Sequence, residues 1–479
     1  MSKNVKKQKS IELLLEEVLV PEDEQPYEVP DNWVWTNLNS LSKLVVDGSH
    51  NPPPKQREGY PMLSGRNILD GNINFETDRY LSEENYQKEY KRTPIESDDV
   101  LLTIVGTIGR TTVVPKECSP FVLQRSVALI KPMINSKYLS YYFSSPVFQS
   151  YLQRNARGTA QKGVYLQTLK SSSVPLPPLL EQYRISEKLE RLLNKIEEAK
   201  KLIEEAKEIF ELRKVAIFDK AFRGELTEEW REKNLSSLPP ALDESGDIIK
   251  EWKPIIKIPN TWVYKSINDI CVKVTDGTHD TPKRTESGVP YITAKHIRDG
   301  IIDFDNCDYV SEEVHKVIYS RCNPEKNDIL LVNIGAGAAT PALIDVNFQF
   351  SLKNVALLKP DNSTIDSKYL EYYLRFVKLF LFTNITSGGS QPFLSLKKIK
   401  TIPIIVPSLQ EQKVIVNKLD SIFSKEIETN IELEKLPTIL NHNRASILSQ
   451  AFRGELGTND PGEESGIELL KEVLQEQVK

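Results

Sequence analysis

From Ile185 onward the chain sets apolar residues at alternating spacings of four and three: Ile185, Leu189, Leu192, Ile196, Ala199, Ile203, Ala206 and Phe210, with Glu and Lys on the other faces. That is a heptad seam, and it predicts one coiled-coil helix over about 180–222. At 1.5 Å per residue the helix is on the order of 60 Å long. A second stretch keeps Ile415, Leu419, Ile422, Leu433, Leu436 and Leu440 in register, interrupted by Glu426 and Thr429. Pro437 is expected to kink or break this second helix, because it removes a backbone donor. Seams of this length must be buried. Two in one chain predict mutual pairing, most simply antiparallel; independent packing of each on a partner protein is the alternative.

Upstream of each helix the pattern changes to mixed α/β, over roughly 31–178 and 260–408. Short β-rich runs at 100–105 and 329–334 end at Gly106 and Gly335, and those at 127–130 and 355–358 run into Lys-Pro. Residues 138–143 and 369–374 follow Ser-Lys and predict helices with a serine cap. These regions are large enough to bury cores of their own.

The two halves are copies. Ala-Phe-Arg-Gly-Glu-Leu stands at 221–226 and at 451–456, a separation of 451 − 221 = 230 residues. Asp47-Gly48-Ser49-His50 matches Asp276-Gly277-Thr278-His279, Val29-Pro30-x-x-Trp33 matches Ile258-Pro259-x-x-Trp262, and Glu181-Gln182 matches Glu411-Gln412. The fold class expected is α+β/mixed: two similar α/β domains separated by two long helices that pair as an antiparallel coiled coil, a pseudo-twofold tandem repeat. The expected boundaries are an N-terminal helical extension over 1–28, a first domain over 29–178 and a first spacer helix over 179–226. A linker over 227–257, a second domain over 258–408, a second spacer helix over 409–456 and a tail helix over 457–479 follow. Ile11-Glu12-Leu13-Leu14 rhymes with Ile467-Glu468-Leu469-Leu470, which suggests that the two ends meet, although two amphipathic helices can look alike by composition alone.

Composition narrows the classes. Net charge is −5, so no global basic signature marks a nucleic-acid binder. A local one is expected, because Lys55, Arg57, Arg66, Arg92, Arg110, Arg125, Arg154, Arg157 and Lys162 punctuate the first domain. No apolar run is long enough to span a bilayer, and the basic start leads into an acidic amphipathic segment rather than a signal peptide. Cys118, Cys271, Cys307 and Cys322 show no C-x-x-C spacing, which fits free thiols in a reducing cytoplasm and no structural zinc.

Two α/β regions, each followed by a helix that opens with Pro-x-Leu-x-Glu-Gln and closes with Ala-Phe-x-Gly-Glu-Leu, resemble the specificity subunit of type I restriction-modification systems. The likeness runs from about Val29 to Leu456 and rests on 174–182, 404–412 and the two hexapeptides. It also rests on the Asp-Gly-Ser/Thr-His elements and on Gly-x-Ile-Gly at 106–109, whose second copy departs as Gly335-Ala-Gly-Ala338. The resemblance implies a non-catalytic, cytoplasmic DNA-binding subunit. Each α/β region would be a target recognition domain reading one half of an asymmetric double-stranded DNA site. The paired helices would set the spacing and bind two modification subunits, which use S-adenosylmethionine to methylate adenine. Restriction subunits would add ATP- and Mg2+-dependent cleavage. This chain would bind no cofactor or metal itself.

Residues expected to meet DNA follow from polar positions where the copies diverge and from flexible polar loops. In the first copy they are Ser49, His50, Arg66, Asn67, Arg110, Gln124, Arg125, Thr159, Gln161 and Lys162. In the second they are Thr278, His279, Lys295, His296, Lys353, Asn354, Ser390 and Gln391. Glutamine amides suit adenine edges, and the cations suit phosphate or guanine. The bland alternatives are that the histidines hold turns and that the 157–162 and 387–391 loops only position Tyr165 and Phe393 in the core. Asn51-Pro52-Pro53-Pro54 lacks the aromatic fourth residue of adenine methyltransferase sites and reads as a proline turn. Gly335-Ala-Gly337 is too short for a dinucleotide loop. The competing functions are a self-contained methyltransferase or nuclease, for which the chain has no spare domain, and a protein-only coiled-coil scaffold.

Overall fold

A computed structural model describes residues 10–158, 161–238, 256–298, 300–384, 386–387 and 392–478. They form two compact units, Met1–Ile203 with Lys435–Lys479, and Glu204–Glu434. The boundaries expected from sequence keep each long helix apart from its neighbours. The compact division instead cuts both helices and gathers both chain ends into the first unit.

The units repeat one topology. In the first, Ser42–Asp47, Val127–Pro132, Val100–Thr103 and Thr111–Val113 make a four-stranded antiparallel sheet in that order. Its counterpart runs Cys271–Asp276, Val355–Pro360, Ile329–Val332 and Pro341–Leu343. A three-stranded sheet with one parallel pair stands beside each, Tyr80–Leu81, Tyr60–Leu63 and Val122–Leu123 in the first unit. In the second it is Asp308–Val310, Val289–Thr293 and Ser351–Lys353.

The central strands carry runs of consecutive apolar residues, at 100–102, 127–130, 329–332 and 355–358, because both of their faces are covered. Val100, Leu102, Ala128 and Ile130 join the core shared with the helices, while Leu101, Val127 and Leu129 join a separate core on the other face. Ile329, Leu331, Ala356 and Leu358 alternate with Leu330, Val332, Val355 and Leu357 in the same way. Each sheet also sets one lysine between a buried aspartate and an exposed glutamate. Lys131 Nζ reaches Asp99 at 2.9 Å and Glu96 at 2.9 Å, and Lys359 Nζ reaches Asp328 at 2.6 Å and Glu325 at 2.9 Å.

The helices after the sheets are capped one residue earlier than expected. Asn135 accepts from the Tyr138 amide at 2.8 Å and Asp366 from the Tyr369 amide at 3.0 Å, so Ser136 and Ser367 open the helices rather than cap them. Pro146 splits the first copy into Ser136–Phe143 and Pro146–Asn155, whereas Ser367–Asn384 is continuous.

Both long helices form, as Leu179–Phe222 and Leu409–Phe452. The second continues through Pro437, correcting the expected break. The stretch around it is largely exposed, so water can satisfy the carbonyl that loses its donor. In each unit the start of one helix lies beside the chain leaving the other: Lys188 donates to the Leu456 carbonyl at 2.5 Å, and Lys418 to the Leu226 carbonyl at 2.6 Å. This is the antiparallel arrangement expected. Ile185, Leu189, Ile196, Ile203, Ile415 and Leu419 of the seam are buried. Leu192, Phe210, Ile422, Leu433 and Leu440 are half-buried, and Leu193, outside the expected seam, is buried. Leu436 is exposed, a correction, because burial fades toward the middle of the helices: Leu202, Ile209, Leu212, Val215, Ile427, Ile431 and Ile439 are also exposed.

Repeated sequence elements turn out to be parts of one latch. Glu181 is fully buried at a helix start, accepting from Trp33 Nε1 at 2.8 Å, Asn459 Nδ2 at 3.1 Å and Thr458 Oγ1 at 3.3 Å. Burial raises its carboxyl pKa above the usual range, against those hydrogen bonds. Glu411 accepts from Trp262 Nε1 at 2.9 Å, Thr227 Oγ1 at 2.7 Å and Arg231 at 2.9 Å. Gln182 and Gln412 accept from the Asn135 and Asp366 amides at 3.0 and 2.7 Å. The hexapeptide glycines take left-handed φ of +79° at Gly224 and +75° at Gly454. A Cβ there would stand 2.6 Å from Pro259 and 2.3 Å from Pro30, so the hexapeptide and the Pro-x-x-Trp element require each other.

Two connections take definite form. At the start of the 227–257 linker Glu228–Asn234 is helical, and its Arg231 pairs with buried Glu411; residues 239–255 lie outside the described ones. The two ends do meet, since Leu15 of Ile11–Val18 shares the first unit's core with Leu470 and Leu474 of Gly466–Val478.

Candidate nucleic-acid interface

In the first unit the turns at the ends of the two sheets enclose a polar groove. Ser64–Asn67 follow one strand, Val105–Thr107 follow the central strand, and Gln124–Ser126 link the two sheets; Gln161 and the 74–78 turn complete the lining. Two main-chain features hold it open. Gly65 N donates to Ser126 Oγ at 2.9 Å, and the stem of the 157–163 loop is tied by Arg157 and Gly163 exchanging bonds at 2.8 Å. Gly106 N donates to the Lys162 carbonyl at 3.1 Å, which brings Gln161 to the groove.

Arg66, Gln124, Arg125 and Gln161, expected from sequence as DNA contacts, meet here. Arg66 and Arg125 are exposed, and among the described residues their guanidinium groups make neither ion pair nor hydrogen bond. Unpaired guanidiniums are available to a phosphate or a base edge, and the same groove is lined by the acids Glu76 and Asp78. Lys55 and Arg92, by contrast, are engaged by Asp78 and Asp47. Lys162 is exposed next to Gln161, while Arg110 lies outside the groove lining. Thr159, Ser390 and Gln391 lie outside the described residues.

Asn67 and His296 are corrections. Asn67 is buried; its Oδ1 accepts from the Ser64 amide at 2.9 Å and its Nδ2 donates to the Asn74 and Glu76 carbonyls at 2.9 Å each. His296 is buried and makes the first of these contacts in the second unit, Nδ1 accepting from the Thr293 amide at 3.1 Å. Burial and neighbouring Lys295 lower its pKa, which favours the neutral ring that accepting at Nδ1 requires. Two different side chains thus hold one turn, and their divergence between copies reports packing rather than base reading.

The Asp-Gly-Ser/Thr-His elements are structural at their core. A Cβ on Gly48 or Gly277 would stand 2.2 or 2.3 Å from a carbonyl of the neighbouring strand. Ser49 is buried and donates to Glu89 at 3.1 Å, and Thr278 accepts from the Asp280 amide at 3.2 Å. His50 and His279 are exposed and bound to Asp47 at 2.6 Å and Asp276 at 3.1 Å, with Asn354 also on His279 at 3.1 Å.

In the second unit Lys295 pairs with Asp308 at 3.1 Å, and Lys353 donates to Thr281. Bridges fix the true equivalences: Ser49 pairs with Gln124 as Thr278 pairs with Lys353, so Arg125 corresponds to Asn354, one residue away from the match of Gln124-Arg125-Ser126 with Leu352-Lys353-Asn354 that the two copies suggest as sequence. The same shift affects the glycine element. Gly109 N donates to Thr103 as Ala339 N donates to Val332, so Ala339, at φ +67°, holds the left-handed position. Tyr165 is 70% and Phe393 40% exposed, so the loops do not bury them. Sequence reasoning passed over Glu76, which lines the groove and recurs as Asp305 at an offset of 305 − 76 = 229. Among the described residues no group of three His, Cys, Asp or Glu could hold a metal ion, and no helix is long and apolar enough to cross a membrane.

A family model described as "Type I restriction modification DNA specificity domain" matches residues 32–208 and 259–436. The type I restriction enzyme EcoKI specificity subunit of Escherichia coli K12 is 21% identical over 477 residues, 94% of this chain and 96% of that subunit. The EcoBI specificity subunit of Escherichia coli is 31% identical over 212 residues, but the match spans only 43% of this chain and 44% of that relative. A solved chain from a study of complex assembly and conformational transition in a type I R-M system gives a TM-score of 0.66 at 19% identity, covering 90% of this chain and all 100% of that one. The HsdS subunit of Thermoanaerobacter tengcongensis gives 0.52 at 20% identity, over 90% and 100%. These structural likenesses are likenesses of fold.

Proposed function

Because the chain belongs to the type I restriction-modification DNA specificity family, we propose that each of its two repeats reads one half of a bipartite, asymmetric double-stranded DNA site. Such subunits recognise DNA sequence and are not themselves catalytic. The observation that carries the reading is the first unit's groove, where two guanidiniums without a partner among the described residues stand beside two glutamine amides. Cations position the duplex on its phosphates, and amides and guanidiniums read base edges in the major groove. The structurally equivalent residues differ, Gln124 with Arg125 against Lys353 with Asn354, which supports a non-palindromic site.

The long helices set the spacing of the half-sites, in the way that half-site separation follows reader geometry in dimeric regulators. Their exposed apolar residues suit docking of two modification subunits: Leu202, Leu436 and Ile439 in the first unit, Ile209, Leu212, Val215, Ile427 and Ile431 in the second. Those partners supply S-adenosylmethionine-dependent adenine methylation, and restriction subunits supply ATP- and Mg2+-dependent cleavage, all in the cytoplasm.

Arg66→Ala with Arg125→Ala tests the groove in the complex assembled with its modification subunits. Each phosphate that the protein ceases to neutralise makes the slope of log K against log salt shallower by about 0.9. The double variant is expected to bind cognate DNA more weakly with a slope shallower by about 2. An unchanged slope and affinity would remove the groove from the interface.

A further inference from the structure

The groove also holds a charge that DNA should reject. Glu76 lines it and is exposed, and among the described residues its carboxylate makes no ion pair or hydrogen bond, although Arg66 and Arg125 line the same groove unpaired. A free carboxylate beside phosphates weakens polyanion binding, so it is out of place on a surface that only grips a backbone. It becomes favourable where a base offers it a donor. The second unit keeps the feature: Asp303 N donates to the His296 carbonyl at 2.8 Å as Asn74 N donates to the Asn67 carbonyl at 2.8 Å, and two residues further on stand Asp305 and Glu76. Asp305 is likewise exposed, and no partner binds its carboxylate among the described residues. The residues holding that turn differ, Asn67 against His296, yet both copies carry an acid at the same distance beyond it, 76 − 67 = 305 − 296 = 9 residues.

We propose that Glu76 and Asp305 are specificity-determining residues, each carboxylate accepting a hydrogen bond from the exocyclic amino group of a cytosine in its half-site. In the major groove only cytosine N4 and adenine N6 present donors; guanine O6 and thymine O4 are acceptors and repel a carboxylate. Adenine sets its N7 acceptor beside the amino group, whereas cytosine has no acceptor there, so the C·G pair is favoured. The carboxylates thus select by exclusion as much as by attraction.

The inference rests on the DNA-reading proposal, and the test separates the two. Wild type, Glu76→Ala and Asp305→Ala are each produced with the modification subunits in cells free of other adenine methyltransferases, and methylated adenines are mapped. Both positions are exposed, so folding should survive. Wild type is expected to give one bipartite motif. Glu76→Ala should lose roughly tenfold discrimination at a single C·G pair of one half. Asp305→Ala should do so in the other half. A wild-type motif that both variants reproduce at every position, or relaxation at an A·T pair, overturns the inference alone. A wild type that directs no motif overturns the DNA-reading proposal and this inference with it.

Discussion

Phe452→Ala is expected to destabilise the first unit by about 3–5 kcal/mol, the usual range for deleting a buried aromatic ring. Phe452 is the second residue of the repeated hexapeptide and is completely buried, with ring centroids 5.4 Å from Tyr138 and 5.2 Å from Tyr142, both edge-on. Those tyrosines are fixed in turn, donating to the carbonyls of Pro175 at 2.8 Å and Ser173 at 2.7 Å. The site therefore cannot collapse to fill the void, which places the loss toward the upper end. Phe222→Ala should cost the second unit a similar amount, since Phe222 lies 5.6 Å from Tyr369, 5.1 Å from Tyr373 and 5.0 Å from Phe376. Hydrogen exchange should show lost protection at Ser136–Phe143 in the first variant and at Ser367–Asn384 in the second. Losses below about 1 kcal/mol would mean that the hexapeptide does not close these cores.

Lys359→Met should be equally damaging for another reason. Lys359 and Asp328 are both buried, and removing the cation strands the carboxylate, which typically costs about 3–5 kcal/mol. Burial already raises the Asp328 pKa, against the hydrogen bond from Lys359. A carboxyl whose folded pKa exceeds its unfolded value favours folding below the unfolded pKa and loses that contribution as pH rises through the folded one. Without Lys359 the folded pKa rises further, so the deficit of the variant should shrink on acidification. Adding Asp328→Asn should recover most of the lost stability at neutral pH. Denaturant unfolding at neutral and mildly acidic pH checks this; a deficit that grows on acidification would contradict it.

Much of this architecture is legible in the sequence because it is written in apolar periodicity and in long identical segments. The heptad seam, the strand runs at 100–105 and 329–334 and the paired hexapeptides each leave a pattern that physics allows in few ways. The candidate site is less legible. Asn67 and Arg66 are adjacent polar residues that diverge between copies, yet Asn67 is committed to its own turn and Arg66 has no partner among the described residues. Only the geometry of backbone donors separates them. The one-residue shift that pairs Arg125 with Asn354, and Gly109 with Ala339, hides behind tiny insertions that apolar matches do not register. Arg231 sits in what reads as a charged linker; its role depends on Glu411, 411 − 231 = 180 residues away, whose burial no local pattern reveals. Pro437 shows the converse, a strong local rule overridden by a helix held through packing at both ends.

The central claim is that the two repeats read separate halves of one site. It is tested most directly by replacing residues 29–178 with the equivalent region of another type I specificity subunit, coexpressing the chimera with the modification subunits and mapping methylated adenines. One half of the methylated motif should change while the other half stays as in wild type. A motif unchanged in both halves, altered in both, or deposited by this chain without its modification partners would contradict the account.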